Sequence, residues 1–109
     1  MDRPSLVVHI HDLAIHSTSR VVQVDQKMVS LTRTELRLLL LLANRPGHTF
    51  SRRDILDGLH GSRYAITDRA VDVQILGLRR KLGPAAKHIQ TVRQIGYRMQ
   101  AEPPSAPAT

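Results

Sequence analysis

"TDRAVDVQILGLRRKLG", residues 67–83, has the spacing of a helix with two unlike faces. Val71, Ile75, Leu78 and Leu82 recur at intervals of four, three and four, so they share one narrow sector and must face a core. At about 100° per residue, the opposite sector carries Arg69, Val73, Leu76, Gly77 and Arg80, with Gln74 and Arg79 on its flanks. Asp68 or Thr67 can accept from the free amides of the first turn, and Gly83-Pro84 stops the chain beyond Leu82. The spacing therefore predicts a helix over 68–82 whose outer face is left for a partner.

Upstream, "LTRTELRLLLLLANRPG" announces another helix, with Thr32 and Glu35 forming a capping box and Pro46-Gly47 as the stop. Its leucines spread round the cylinder, so it is either buried on several sides or shared with a partner. Ser51 with Asp54 opens a short second helix holding Ile55, Leu56 and Leu59, which Gly61 closes. Before these lie four short runs rich in β-branched residues, "LVVHI", "LAI", "VVQV" and "MVSL", between residues 6 and 31. Runs this short predict an antiparallel meander. After the third helix, "HIQTVRQIGYRMQ" reads as a hairpin with Gly96 supplying a positive φ at the bend. "AEPPSAPAT", residues 101–109, lacks apolar periodicity and reads as a disordered tail.

The 109 residues suit one domain, and the absence of cysteine rules out disulfide and thiolate-metal frameworks and suits a reducing, cytoplasmic setting. The longest apolar run, Leu38 to Ala43, is too short to cross a bilayer, and the first residues show no charged-then-apolar pattern of a signal peptide. The formal charge of +7 is concentrated: residues 69–98 hold seven basic side chains against one acidic, Asp72. Such a stripe suits a polyanion partner, although a merely solvated surface has the same composition. Catalytic patterns are lacking, with no phosphate-cradling glycine loop, nucleophile elbow or close acidic pair. His9 and His11 alternate as on one strand face, but two imidazoles make a poor metal site, so no metal and no cofactor are expected.

Sheet, three helices and basic hairpin in this order are the plan of a winged helix. The fold expected is α+β: an N-terminal four-stranded antiparallel sheet, a winged helix-turn-helix, and a C-terminal β-hairpin wing. The segments "LTRTELRLLLLLANRPGHTFSRRDIL", "DRAVDVQILGLRRKLG" and "IQTVRQIGYRM" resemble the C-terminal effector domain of the OmpR/PhoB family of bacterial response regulators, and the resemblance covers about residues 6–100. Residues 1–5 then form an N-terminal extension or linker remnant. The resemblance implies sequence-directed binding of double-stranded DNA within a two-component system, with the third helix in the major groove and the wing, 89–100, at the minor groove. Arg69 and Arg79 match positions that hold phosphate, Thr91 a wing residue on the backbone, Arg93 the arginine that enters the minor groove, and Tyr97 an aromatic at the wing base. Loop 58–69 looks like the segment that can contact RNA polymerase. The family pairs such a domain with a receiver, absent from this chain, whose phosphorylation promotes a tandem dimer on DNA.

The family usually carries a basic pair where this chain has Leu76 and Gly77, often a histidine at the position of Gln74, and a tryptophan at that of His60. Arginine to guanine is the commonest bidentate base contact, so its obvious reader is missing at 77. Gln74 suits adenine, and Val73 or Leu76 suits thymine methyl groups; weakened base reading that leaves affinity to phosphate contacts is the other reading. Arg79, Arg80 and Lys81 also complement a helix C-terminal dipole, and Gly77 is also a tolerated helix defect. The competing function is a winged-helix protein-interaction module, motivated by the outward Val73 and Leu76.

Overall fold

The computed structural model describes residues 7–60 and 68–101. Strands β1 (Val7–Ile10), β2 (Leu13–His16), β3 (Val21–Val24) and β4 (Lys27–Ser30) form an antiparallel sheet in the order β1-β2-β3-β4. Register follows from side-chain alternation: Leu13 lies opposite Val24 and Ile15 opposite Val22, which puts all four on the buried face. Two-residue links join β1 to β2 and β3 to β4, and each needs a left-handed residue, His11 (φ 53°) and Asp25 (φ 58°). His11 thus sits in a turn and does not share a strand face with His9; no group of three ligating side chains is placed for a metal among the described residues.

Helix α1 (Arg33–Ala43) starts on the expected capping box, with the Glu35 amide donating to Thr32 Oγ1 at 3.1 Å and the Thr32 amide to Glu35 Oε1 at 2.9 Å. Leu36, Leu38, Leu39, Leu42 and Ala43 are buried, and Leu40 and Leu41 pack partly against the same core. Those leucines are taken up by intramolecular neighbours, because α1 packs on β1, α2, α3 and β7 at once. They form no exposed patch for a partner.

The second helix, α2 (Arg52–His60), opens on reciprocal bonds between Ser51 and Asp54, each 3.0 Å. The third, α3 (Asp68–Leu82), buries Val71, Ile75, Leu78 and Leu82 as the spacing requires. Gly83, at φ 58°, breaks it, and a 3-10 helix over Gly83–His88 follows, which the sequence pattern does not announce. Thr67, Gly61 and most of loop 58–69 lie outside the described residues, as do 1–5 and 102–109.

A short strand β5 (Phe50–Ser51) joins β6 (Ile89–Val92) and β7 (Gly96–Met99) in a second sheet of order β5-β7-β6. Gly96 does not bend the hairpin. The left-handed residue there is Gln94, at φ 66°, while Gly96 lies in β7 opposite Val92 and Ser51. Its missing side chain matters for another reason: a Cβ would fall 1.9 Å from the Phe50 carbonyl oxygen. The N-terminal sheet is fastened to the base of this wing by imidazoles. His11 Nε2 donates to the Gln100 carbonyl at 2.7 Å, His88 Nε2 to Asp12 Oδ1 at 2.8 Å, and the two rings stack with centroids 4.2 Å apart.

Candidate nucleic-acid interface

Helix α3 is held on both flanks, which decides which of its residues stay open. On one flank, Lys81 Nζ donates to Glu35 Oε1 at 2.7 Å, tying the last turn to the start of α1. Gly77 faces the same way: a Cβ there would stand 3.2 Å from Glu35 Oε2, tighter than an ordinary contact. The sequence pattern puts Gly77 in the outward sector, whereas the structure places it half-buried at the α1 contact. On the other flank, Arg79 Nη2 donates to the Ile89 carbonyl and to Thr91 Oγ1, both at 2.8 Å, so the helix is bolted to the wing.

Between these flanks runs a single exposed stripe, Arg69, Val73, Leu76 and Arg80, at intervals of four, three and four. Val73 is 59% exposed and Leu76 52%. Gln74 is half-buried and, at about 100° per residue, lies on the flank with Gly77 and Lys81. Arg69 and Arg80 make no ion pair among the described residues. Arg93 is likewise exposed, in the turn between β6 and β7.

Asp72, the sole acid in the basic segment, organises the wing base. Its Oδ1 accepts from the Tyr97 hydroxyl at 2.5 Å and from Arg52 Nε at 2.8 Å, which links α2, α3 and β7 at one atom. The Tyr97 bond and then the Arg52 pair hold the Asp72 carboxyl below the usual carboxylate range. Burial, and then the same bond to Asp72, pushes the Tyr97 phenol up. Arg52 and Arg79 both place their guanidinium carbons 5.5 Å from the Tyr97 ring centroid, so the aromatic is a platform for two cations. Tyr97 is therefore a buried strut of the wing, and its hydroxyl is spent internally.

Of the residues expected at the interface, Arg69, Val73, Arg80, Thr91 and Arg93 are exposed, whereas Gln74, Gly77 and Arg79 are half-buried and Tyr97 is buried. Arg52 and Asp72 were missed by sequence reasoning. The isolated acid among seven bases was the available signal, because a lone carboxylate in such company has cationic partners within reach.

The family described as "Transcriptional regulatory protein, C terminal" matches residues 25–99. The chain belongs to that family. It is 40% identical over 90 residues to the transcriptional regulatory protein VxrB of Vibrio cholerae, covering 83% of this chain and 36% of that one. Among solved structures, the DNA-binding domain of Bacillus subtilis CssR is 36% identical with a TM-score of 0.74, covering 81% of this chain and 99% of that one. The Klebsiella pneumoniae RstA DNA-binding domain in complex with the RstA box is 33% identical, with a TM-score of 0.75 and coverage of 86% and 96%. The resemblance to OmpR/PhoB-type effector domains and the winged-helix fold are thus both established, and the chain spans less than half the length of the curated relatives it matches. No described helix is long and apolar enough to cross a membrane.

Proposed function

We propose that this domain binds duplex DNA sequence-selectively as the effector module of a response-regulator transcription factor in the cytoplasm. The observation that carries the reading is the stripe Arg69, Val73, Leu76 and Arg80, left open while both flanks of α3 are tied down. A major groove about 12 Å wide admits one helix, and this is the face the fold leaves for it. The exposed Arg93 suits the negative potential of a neighbouring minor groove. Arg79 spends two N–H groups of one nitrogen on the wing and keeps the rest of its guanidinium for phosphate, beside Thr91. Support comes from the named DNA-binding domains to which the chain is similar, one of them solved on its box DNA. The role is one of binding, with no catalytic step.

In the same reading, a receiver on the parent protein governs tandem dimerisation on half-sites about one helical turn apart, and loop 58–69 meets RNA polymerase. Residues 6–100 are the working unit.

Fluorescence anisotropy with a random duplex library, titrated across salt and followed by sequencing of the bound fraction, tests the proposal. The expected result is an enriched motif, with log K falling at a slope of about −3 to −4 against log salt for three to four phosphate contacts. Absence of binding at low salt overturns it and favours the protein-interaction reading of Val73 and Leu76.

A further inference from the structure

We infer that α3 reads thymine, with Leu76 and Val73 contacting C5-methyl groups in the major groove; the inference rests on the DNA-binding reading above. Along the open stripe the order is cation, apolar, apolar, cation: Arg69, Val73, Leu76, Arg80. At a rise of 1.5 Å per residue the two arginines stand about 16 Å apart along the axis, a span that suits the phosphate strands on either side of the groove. The two apolar side chains, one turn apart at the centre, then meet the base edges.

Those edges differ in chemistry, and only thymine presents a methyl group there. Leucine and valine offer neither donor nor acceptor, so methyl contact is the one attractive readout available to them. Guanine needs a donor fork at mid-helix, and nothing described provides it. Arg79 is turned onto Ile89 and Thr91, Arg52 is engaged by Asp72, and position 77 is a glycine against Glu35. Gln74, the amide that suits adenine, is half-buried on the flank with Gly77 and Lys81, so the apolar pair alone carries the preference for A·T steps. The flanking cations make a polyanion the fitting occupant of this apolar pair.

The test uses duplexes selected from a random library by this chain, remade with deoxyuridine in place of thymidine, which removes the methyl and keeps the pairing. Each contacted thymine should be worth about a fourfold loss of affinity on replacement, the transfer value of one buried methyl group. The double variant Val73→Ala, Leu76→Ala should bind thymine and uracil duplexes equally while keeping its salt dependence. Both positions are exposed, so the fold tolerates the change. Leu76→Arg should move the selected motif toward guanine. A selected motif bound equally well with uracil overturns the methyl readout and leaves DNA binding intact. A uracil penalty that persists in the double variant overturns it too, since groove shape then explains the preference. Salt-sensitive binding without a motif also overturns it, and no binding at all removes the reading beneath it.

Discussion

Replacing Tyr97 with Phe removes one hydroxyl and keeps the ring on which Arg52 and Arg79 rest. The lost contact is the 2.5 Å bond to Asp72 Oδ1. A hydrogen bond to a charged acceptor contributes about 1.5–3 kcal/mol. The Asp72 side chain is 42% exposed and keeps Arg52, so water can replace the donor, and the expected cost falls to about 1 kcal/mol. For a domain of this size that lowers Tm by about 4–8 °C, readable by circular dichroism. The pH dependence is the sharper check. Asp72 is held below its ordinary range chiefly by this bond, so the bond's contribution is complete above the unfolded value of about 3.9 and disappears as pH falls through the lower folded one. Tyr97 is raised, first by burial and then by Asp72, so its share is complete below about pH 10 and disappears as pH rises through the raised value. The difference in Tm between wild type and Tyr97→Phe should therefore be widest near neutrality and close at both extremes. Equal Tm values at neutral pH, or a gap that stays constant down to about pH 2.5, would refute the assignment of Asp72 as the charged acceptor.

Three further outcomes follow from particular contacts. Gly96→Ala should cost at least about 2–3 kcal/mol in a urea titration, because a Cβ 1.9 Å from the Phe50 carbonyl forces β5 off β7; an unchanged midpoint would contradict that packing. Gln94→Gly should stabilise by about 0.5 kcal/mol, the relief of a left-handed residue at φ 66° less the entropy of glycine, seen as a Tm rise of a few degrees. Burial pushes the Glu35 carboxyl up, but Lys81 and Thr32 outweigh it and hold the group below its usual value. Glu35→Gln should accordingly cost about 1 kcal/mol above about pH 5 and progressively less as acid protonates the wild type, monitored by thermal unfolding.

What was legible in the sequence was what depends on near neighbours. Thr32 and Glu35 are three residues apart, as are Ser51 and Asp54, and both caps formed as read. Strand alternation fixed the meander, and the apolar sector of 68–82 fixed which side of α3 is buried. Elements that owe their existence to distant partners escaped. Two-residue β5 has no periodicity of its own and forms only because β7 offers it an edge, and Gly96 serves that approach instead of the turn. The turn went to Gln94, a residue whose side chain gives no hint of a left-handed backbone.

The same division governs the charge. Composition registered seven cations in residues 69–98 but could not say which were engaged, since the groups that engage them lie far off in sequence. Lys81 meets Glu35 across 46 positions, and Asp72, which recruits Arg52 from outside the segment, is 20 positions from it. Arg79 is drawn onto the wing and Arg98 onto Gln90 across the hairpin. These bonds engage three of the seven and leave Arg69, Arg80, Lys87 and Arg93 exposed. A net charge therefore overstates what such a domain presents to a polyanion. The internally bonded cations position the helix and wing, and the exposed remainder sets the strength and salt dependence of binding.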